Sequence, residues 1–415
     1  MDMLAFILGK KSGGGGGGGG SAKHGVFFLD YDGSIVESWA TDTVAAKTAL
    51  PSNPTHTGLV AQGWNWGLQH IKDNIAAYEN ADVYVGQMYK TSSGLTEMDI
   101  TVTKVTGLTV TCNMVGNKNW GDGTTDNLTT HTYANYGDYT ITCDGTRIPA
   151  GSSSASGLFG ASSSNMNRYW CTAIRIGENV TSIGNYTFSN CGSLKSIIIP
   201  QGVTSIGSYV FIYCGSLTSI TIPQGVTRIG NNALQSCYSL KSITIPQGVT
   251  SIEGYVLNNC HSLTSIVIPQ GVTSIGNYAF NSCHSLTSIV IPQGVTSIGS
   301  YAFNSCYALT SITIPQGVTR IANNAFQRCL SFTSIAIPAG VTSVEGYAFG
   351  NCDPITIYDF TSATGVPTMS NVSAFSNING ICKIIVPDAL YDTWIAATNW
   401  ATYADYIYKA SEVAA

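Results

Sequence analysis

Residues 262–284 read SLTSIVIPQGVTSIGNYAFNSCH, and near-copies of this 23-residue stretch fill the chain from about Ala173 to Asp353. The period is fixed, because eight cysteines recur every 23 residues without an insertion: Cys191, Cys214, Cys237, Cys260, Cys283, Cys306, Cys329 and Cys352. A unit of this length cannot bury its own apolar face and must stack on copies of itself. The sequence therefore predicts a solenoid over about half of the 415 residues.

Within one unit, the apolar residues predict two short extended segments and a turn. The spacing L-x-x-I-x-I from Leu263 indicates a strand with alternate side chains inward, and Pro269 ends it. A turn leads into a second extended segment at Val272–Ile275. Asn277–Ser282 is predicted to form one helical turn that brings Phe280 inward. Stacked copies then give a parallel sheet of Ile-rich strands, a spine of phenylalanine and a ladder of cysteine.

The cysteine ladder is interpreted as a column of buried free thiols, which behave as small hydrophobic groups. Zinc sites use Cys/His pairs two to five residues apart, and the chain has no C-x-x-C. We expect no metal site and no cofactor.

Charge and hydropathy exclude two classes of partner. Only 10% of residues are charged, and 18 Lys+Arg spread over the whole length form no basic patch for phosphate contacts. Nucleic acid is therefore not an expected partner. No run of about 18 apolar residues occurs, so no membrane span is expected.

The repeated pattern V-T-x-I-G-x-x-A-F-x-x-C-x-x-L-x-x-I-x-I-P resembles the BspA-type leucine-rich repeat. The resemblance covers about 180 residues and implies a leucine-rich-repeat solenoid over about 169–385. Members of this family are mostly bacterial, phage and protist surface proteins that bind host proteins or matrix. The resemblance therefore implies a binding function.

The C-terminal run 386–407 also resembles the ending common in that family, and 386–415 is predicted as a capping helix and tail. The run is typical of an amphipathic helix that begins at Asp388 as its cap. Leu390, Trp394 and Ile395 are expected to cover the last turn, since an exposed solenoid end needs such a cap.

The N-terminal residues 1–23 combine an apolar peptide, MDMLAFIL, with a run of eight glycines. Asp2 precedes the apolar stretch and lysines follow it, which is not the pattern of a secretory signal. The glycines are expected to act as a flexible tether. The peptide is interpreted as a docking element for a larger assembly, and a frayed terminus is the alternative.

Residues 24–91 are predicted to form a small α+β module, with a hairpin around Asp32–Gly33. The module resembles the internalin B-type repeat, a β-grasp-like unit of surface proteins. Five residues carry the resemblance: Pro51, Pro54, Gly58, Gly63 and Trp64.

The same segment contains FFLDYDGSIV, which resembles the first motif of haloacid-dehalogenase phosphatases. That resemblance implies Asp30 as nucleophile and Asp32 as general acid. Such an enzyme also needs a later Ser/Thr, a Lys and a carboxylate pair for magnesium, on a parallel sheet that about 70 residues cannot build. An Asp-Gly between two apolar strands is first of all a hairpin signal. We therefore expect no enzymatic activity.

Residues 92–148 contain W-G-D-G-T from Trp120, followed by H-T-Y-x-x-x-G-x-Y from His131. Together these motifs resemble the PKD domain, an immunoglobulin-like β-sandwich of extracellular proteins. Cys112 and Cys143 lie on candidate strands and either pair or remain free thiols. Asp122 and Asp138 are candidates for calcium binding, although turn capping is the favoured role. Residues 149–168 are rich in Ser and Gly and predict a linker.

Two outward columns of the repeat are rich in aromatic rings. One follows the cysteines and comprises Tyr238, His261, His284 and Tyr307. The other precedes the Ala-Phe pair and comprises Tyr186, Tyr209, Tyr255, Tyr278, Tyr301 and Tyr347. Rings with polar tips suit protein or glycan recognition. Packing over neighbouring turns is the alternative for the second column, and repeat drift is the simpler alternative to a metal or pH-sensing role for the histidines.

A longer period overlies the 23-residue repeat, because several variable positions recur 92 residues apart. Arg228 recurs as Arg320, and Glu253 as Glu345. We therefore expect any ligand site to occur twice. The candidate ligand contacts are Tyr238, His261, His284, Tyr307, Arg228, Arg320, Tyr255, Tyr278 and Tyr301.

The outward strand position predicts a flat, mildly apolar face that invites a partner. It is formed by Ile198, Thr221, Thr244, Val267, Val290, Thr313 and Ala336.

Together these observations favour a multidomain, mainly β, non-enzymatic adhesion or receptor-binding protein. A phage tail or virion-associated protein is favoured, and a bacterial cell-surface or secreted adhesin is the alternative. A purely structural spacer is a further alternative. The expected partner is a host or cell-surface protein or glycan, and the expected location is extracellular or on the virion surface.

Overall fold

The computed structural model describes residues 25–29, 35–55, 59–64, 83–91, 96–102, 108–111, 117–119, 123–128, 130–133, 137–143 and 171–413. Residues 171–413 form a parallel-sheet solenoid of about 10 turns together with its C-terminal cap. One turn, from one ladder cysteine to the next, is called a rung below.

Before the solenoid, the described residues contain ten strands and one 3-10 helix (Thr41–Ala46). The strands are β1 Gly25–Leu29, β2 Ile35–Ala40, β3 Leu59–Trp64, β4 Val83–Thr91, β5 Thr96–Val102, β6 Leu108–Thr111, β7 Lys118–Asn119, β8 Thr125–Asp126, β9 Thr130–Tyr133 and β10 Gly137–Cys143.

Eighteen further strands build the solenoid and its end. They are β11 Cys171–Arg175, β12 Ser182–Ile183, β13 Ser196–Ile198, β14 Ser205–Ile206, β15 Ser219–Thr221, β16 Arg228–Ile229, β17 Ser242–Thr244, β18 Ser251–Ile252, β19 Ser265–Val267, β20 Ser274–Ile275, β21 Ser297–Ile298, β22 Arg320–Ile321, β23 Ser334–Ala336, β24 Ser343–Val344, β25 Ile357–Asp359, β26 Thr368–Met369, β27 Lys383–Val386 and β28 Ile407–Lys409.

Each complete rung contributes up to two short strands, and equivalent strands pair in parallel. Ile220 of β15 lies opposite Ile243 of β17, which lies opposite Ile266 of β19. The second segments pair in the same way, for example β18 with β20 and β20 with β21. The two extended segments predicted in the repeat are therefore confirmed.

The predicted helical turn at Asn277–Ser282 is wrong. Tyr278 and Ser282 have left-handed backbones, with φ of 58° at both. The backbone N–H groups of Tyr278, Phe280 and Ser282 donate to carbonyls of the next rung at 2.8–2.9 Å. Since these donors bond between rungs, no helical i to i−4 pattern forms.

Stacked phenylalanines form the spine of the core. Ring centroids of Phe280, Phe303, Phe326, Phe349 and Phe375 follow one another at 5.3–5.6 Å, and none of these rings is more than 1% exposed. Packing of this density is what makes each rung depend on its neighbours.

The cysteine ladder consists of buried free thiols, as predicted. Each thiol from Cys214 onward donates to the carbonyl of the residue 26 positions earlier; Cys283 Sγ, for example, lies 3.3 Å from the Leu257 carbonyl oxygen. Burial raises the pKa of the Cys260 and Cys306 thiols to about 12. The ladder therefore supplies both apolar packing and a second, weak donor to a carbonyl that already accepts from a backbone N–H, such as that of Cys260 at Leu257.

The C-terminal segment caps the solenoid, but it is not the single helix that the pattern predicts. It comprises a 3-10 helix (Asp388–Leu390), α1 (Tyr391–Ala396), a second 3-10 helix (Trp400–Tyr406), β28 and α2 (Ala410–Val413); a separate 3-10 helix, Val372–Phe375, lies earlier. Asn399 interrupts the segment with φ of 67°. This turn lets Trp400 Nε1 donate to the Pro367 carbonyl at 2.6 Å, and the chain then adds β28 beside β27.

The residues expected to cover the last rung do so. Trp394 is fully buried, and Leu390 and Ile395 pack against the same core. Asp388 does not cap α1; its carboxylate accepts a hydrogen bond from the Ser411 backbone at 3.1 Å. The capping role is thus correct for the apolar side chains and wrong for Asp388.

The strands before the solenoid continue into it. β11 pairs parallel with β13 and antiparallel with β5, which places them in one six-stranded sheet of order β13-β11-β5-β10-β7-β8. The first solenoid strand is therefore covered by a hydrogen-bonded neighbour. The expected linker 149–168 lies outside the described residues. Cys112 lies outside them too, so the alternative between a Cys112–Cys143 pair and free thiols stays open.

The first module packs on the outward strand face. Its sheet has the order β2-β1-β4-β3, and the antiparallel β1–β2 pair confirms the predicted hairpin strands. Cα atoms of β4 lie within 8 Å of Cα atoms in β13, β15, β17 and β19. Thr244 and Val267 are accordingly buried, whereas Thr313 and Ala336 are exposed. The chain itself therefore covers about half of the face expected to attract a partner.

Candidate functional site

Four rings on consecutive rungs form one stack on the outside of the solenoid. The ring centroids are 5.2 Å apart for Tyr238–His261, 4.5 Å for His261–His284 and 4.5 Å for His284–Tyr307. The last two pairs are parallel within 10°. We call these four residues the ring ladder.

The backbone around each ladder residue fixes this spacing. The carbonyls of Tyr238, His261 and His284 each accept a hydrogen bond from the next rung, and all three bonds are 3.2 Å long. Every ring is therefore anchored in the 23-residue register, and the rung spacing of a parallel sheet becomes the ring spacing. At the N-terminal end, a Cβ on Gly215 would lie 3.2 Å from Tyr238 Cδ2, so the Tyr238 ring packs over this glycine.

Stacking decides which part of each ring a ligand meets. Since ring faces are turned toward one another along the stack, the outer surface presents ring edges with imidazole nitrogens and phenol oxygens. These atoms both donate and accept hydrogen bonds. The ring ladder is thus arranged to bind polar groups along a line, and its inner ring faces are not available for stacking on a ligand.

The environment of His284 favours its neutral imidazole. Burial lowers the pKa of His284, and the neighbouring His261 lowers it further. Among the described residues, neither imidazole has a hydrogen-bond partner. Their ring nitrogens are therefore available to a ligand.

The second aromatic column has a different backbone and different packing. Its tyrosines have left-handed φ values between 53° and 60°. Centroids are 4.6 Å apart for Tyr186–Tyr209 and 4.5 Å apart for both Tyr255–Tyr278 and Tyr278–Tyr301. Burial and its tyrosine neighbours raise the pKa of Tyr278, so its phenol stays neutral. This arrangement is the one expected when the tyrosines pack over neighbouring turns.

The tyrosine column follows the 92-residue duplication, with asparagine at the same place in both blocks. Asn232 and Asn324 occupy the left-handed position and have φ of 59° and 58°. Asparagine adopts the left-handed backbone more readily than tyrosine does. The turn therefore requires this backbone conformation, whichever residue occupies the position.

The two arginines expected to be equivalent have different surroundings. Arg320 Nη1 lies 2.9 Å from Glu345 Oε1, and Asn323 donates to the other oxygen of the same carboxylate. Glu253 instead accepts from Ser251 Oγ at 2.9 Å. Within the part of the chain that the structure describes, Arg228 has no ion pair. The two blocks are therefore not equivalent at this point.

The ring ladder also departs from the duplication. The residues 92 positions after Tyr238 and His261 are Leu330 and Asp353. The residues 92 positions before His284 and Tyr307 are Gly192 and Gly215. The ladder therefore occurs once and straddles the junction of the two blocks, so a site built on it alone would not be duplicated.

Other expected functional features lie wholly or partly outside the described residues. Asp30, Asp32 and Asp122 are outside them, and only the backbone of Asp138 is described. Across the described ranges, no group of three or more metal-ligating side chains is present. No helix in these ranges has the length and hydropathy needed to cross a membrane.

Comparison with known proteins places the repeat in a family. The model of the BspA type leucine rich repeat region matches residues 164–287 and 273–393, which together exceed half of the chain. No curated protein matches.

Several solved structures are similar. A leucine rich cell surface protein from Faecalibacterium prausnitzii is 30% identical with a TM-score of 0.36, and the match covers 52% of this chain. The chain spans 65% of the length of that relative. A leucine-rich repeat protein of T. pallidum is 24% identical, with a TM-score of 0.33 and coverage of 42% and 81% of the two chains. The pneumococcal vaccine antigen PcpA is 18% identical, with a TM-score of 0.38 and coverage of 53% and 70%.

Proposed function

Because the chain belongs to the BspA-type leucine-rich repeat family, we propose that it is a non-enzymatic surface protein of the adhesion type. Its solenoid holds the ring ladder rigidly and offers it to a partner protein or glycan. The small modules before the solenoid connect it to the point of attachment.

The observation that carries the proposal is the ring ladder itself. Its polar ring edges lie in a line, with ring centroids at 4.5–5.2 Å intervals. Glycan hydroxyls and peptide amides offer donors and acceptors that match such edges. Since stacking has already ordered the rings, a ligand meets little further loss of side-chain entropy on binding.

The finer assignment is a phage tail or virion-associated protein that recognises a host surface. The apolar N-terminal peptide on its glycine tether supports this, as a docking element for a larger assembly. A bacterial cell-surface or secreted adhesin that binds host protein or glycan is the alternative.

The proposal includes the order of the domains along the chain. It comprises an N-terminal peptide and tether at 1–23, an internalin B-type repeat-like module at 24–91 and a PKD-like domain at 92–148. A linker at 149–168, the solenoid at 169–385 and the capping region at 386–415 complete the chain.

A phosphatase that uses Asp30 and Asp32 is a remote alternative, supported only by the motif FFLDYDGSIV. Incubation of the full chain with a chromogenic phosphate ester and magnesium tests it. Turnover that disappears in Asp30→Asn establishes the enzyme, and its absence removes the alternative.

Binding of the full chain to a glycan array and to a panel of immobilised extracellular matrix proteins tests the main proposal. We expect at least one positive probe, with a signal that falls about tenfold or more in the double variant His261→Ala/His284→Ala. Tyr347→Ala is the matched control, because this ring is 44% exposed and lies outside the ring ladder. Equal binding by the double variant and the wild type contradicts the proposal, as does the absence of any positive probe.

A further inference from the structure

The surface on which β4 packs occurs twice in the solenoid. Cα atoms of β4 lie within 8 Å of those in β13, β15, β17 and β19, whose outward residues recur 92 residues later in the chain. Three of these residues recur unchanged: Ser219, Thr221 and Ser242 correspond to Ser311, Thr313 and Ser334. Ile198 and Thr244 correspond to Val290 and Ala336. We call Val290, Ser311, Thr313, Ser334 and Ala336 the bare half of the strand face.

The two copies differ in exposure although their residues are alike. Ser219 and Ser242 are each 8% exposed beneath β4, whereas Ser311 and Ser334 are exposed. A parallel β-bridge at Val290 joins the bare half to β19. The bare half contains no charged side chain, so covering it desolvates no charge. An uncharged strand therefore meets the same kind of surface here as β4 meets in the first copy.

The fourth rung limits the bare half. Ile357 and Asp359 stand where the covered copy has Ser265 and Val267, so the likeness ends after Ala336. Three rung steps, about 14 Å at 4.7–4.9 Å each, separate β19 from the rung of Ala336. A strand of about five residues is long enough to cross this distance.

The direction of β4 follows from its short connection to β5. Five strand steps, about 24 Å, separate β5 from β19 along the solenoid, by way of β11, β13, β15 and β17. Thr91 ends β4 and Thr96 begins β5, and the chain between them reaches about 18 Å at most. Thr91 therefore cannot lie over β19, so the opposite end of β4, at Val83, is the end that contacts β19.

Residues 1–24 join the module at that same end. β1 pairs in parallel with β4, with Val26 opposite Val83, so Gly25 lies beside the end of β4 nearest the bare half. Residues 9–24 include eight consecutive glycines and are expected to reach about 20–24 Å as a flexible chain. This reach exceeds the length of the bare half.

The sequence of residues 4–8, LAFIL, suits the bare half. It carries no charge, and in an extended conformation it spans roughly 17 Å. A second copy of the chain carries the same peptide, but the short tether gives the chain's own peptide an effective concentration of roughly millimolar. The same chain is therefore the favoured source of the peptide.

We propose that residues 4–8 bind the bare half of the strand face within the same chain, and that they cross its rungs as β4 crosses those of the covered copy. The contact is reversible, because three rungs bury far less area than a stable interface of about 800 Å² per partner. The free chain thereby shields its apolar peptide from water. Any assembly that takes up this peptide uncovers the bare half at the same time. The ring ladder takes no part in this contact.

Disulfide formation between introduced cysteines tests this contact in the full chain. Ala5→Cys is combined with Thr313→Cys on the bare half, and in the matched control with Thr296→Cys, an exposed threonine on a neighbouring rung but outside the strand face. The described native cysteines are buried, and the wild type gives the background of all native thiols. We expect the intramolecular disulfide to form about tenfold or more faster in the Thr313 pair, because docking adds to the proximity that the tether gives both pairs.

Leu4→Asp/Ile7→Asp, added to the Thr313 pair, keeps the tether and both thiols and removes only the apolar character of the peptide. Its rate should fall to that of the Thr296 pair, with circular dichroism verifying the fold. Equal rates in the Thr313 and Thr296 pairs overturn the proposal, as does an unchanged rate with the two aspartates. Disulfide-linked dimers in place of the intramolecular product assign the contact to a second copy and also overturn it. No glycan or matrix probe is present, so failure here is distinguishable from failure of the proposed function.

Discussion

The phenylalanine spine and the ring ladder are both columns of stacked rings, yet one faces the core and the other faces solvent. Spine centroids are 5.3–5.6 Å apart and continue from Phe280 to Phe375. The ring ladder has a similar spacing but spans only four rungs, from Tyr238 to Tyr307. The inward position itself is buried and apolar in every rung, with Phe188, Phe211, Leu234 and Leu257 preceding Phe280, so this column shows what each rung needs to fold. A column that starts and stops reports something that the fold does not need.

The outward strand face also has a buried part and an exposed part, although its residues are similar throughout. β15, β17 and β19 carry nearly the same outward residues as the rungs that follow, and β4 lies over these three strands. Thr244 is 5% exposed and buried, while Thr313 is exposed. Similar outward residues therefore differ in solvent exposure, because a segment distant in the sequence covers some rungs.

The largest expected effect is on the inward column. Phe303→Ala removes a ring that is fully buried between Phe280 and Phe326. We expect the free energy of unfolding to fall by about 3–5 kcal/mol, because a cavity remains in a packed stack. Urea unfolding followed by circular dichroism measures it. Tyr347→Ala is the control and should stay within about 0.5 kcal/mol; a similar loss in both variants would erase the distinction between the columns.

The covered and bare halves of the strand face should respond differently to charge. Thr244→Arg places a guanidinium beneath β4 and should lower the free energy of unfolding by about 2 kcal/mol or more. Thr313→Arg introduces the same side chain on the exposed part of the face and should change it by less than about 0.5 kcal/mol. Thermal unfolding of the two variants side by side measures the contrast. Equal midpoints would show that β4 does not cover this face.

The cysteine ladder should contribute a smaller amount at each rung. Cys283→Ala removes one of two donors to the Leu257 carbonyl, which keeps the Cys260 backbone N–H, and leaves a small cavity. We expect a loss of about 1–2 kcal/mol in the free energy of unfolding.

Thiol chemistry gives the independent check on that ladder. With pKa values of about 12, the Cys260 and Cys306 thiols should resist alkylation at pH 8 in the native state and react fully in urea. Peptide mass mapping after iodoacetamide treatment measures this. Rapid native labelling of these two cysteines is incompatible with the buried ladder.

The smallest effect is the pH dependence that His284 contributes. Its folded-state pKa is lowered by burial, so below about pH 6.5 the unfolded chain binds more protons than the folded chain. Stability should therefore decrease slightly as the pH falls through this window, and no loss from this group should occur above it. The difference between wild type and His284→Ala in thermal midpoint at pH 5.5 and pH 7.5 measures the contribution. A wild type that gains stability relative to the variant at pH 5.5 would reverse the predicted sign.

The sequence predicts the repeated part of the fold well because period and burial act together there. Eight cysteines without an insertion fix the register of the strands, and the alternation from Leu263 to Ile268 identifies their inward face. The turn before each cysteine is predicted wrongly, since tyrosine disfavours the left-handed backbone found at Tyr278. Asn232 and Asn324 at the same position are the local signal for that backbone.

Contacts between distant segments have no such signal. Nothing periodic in residues 83–91 indicates that β4 lies on the solenoid, so the covered half of the strand face is not predictable from the repeat alone. The break in the C-terminal cap depends on one residue, Asn399. Its left-handed backbone is set by tertiary contacts and not by the local sequence pattern. The ring ladder residues are identifiable from the sequence, whereas their parallel stacking requires the structure.

The central claim is that the ring ladder, and not the tyrosine column, is the binding surface. His284 and Tyr278 allow the most direct test, because they lie six positions apart in the sequence, are both half-buried and both belong to stacked columns. The affinity of the full chain for the strongest glycan or matrix probe should fall about tenfold or more in His284→Ala and stay within about twofold in Tyr278→Ala. Loss of affinity in Tyr278→Ala with retention in His284→Ala contradicts the account.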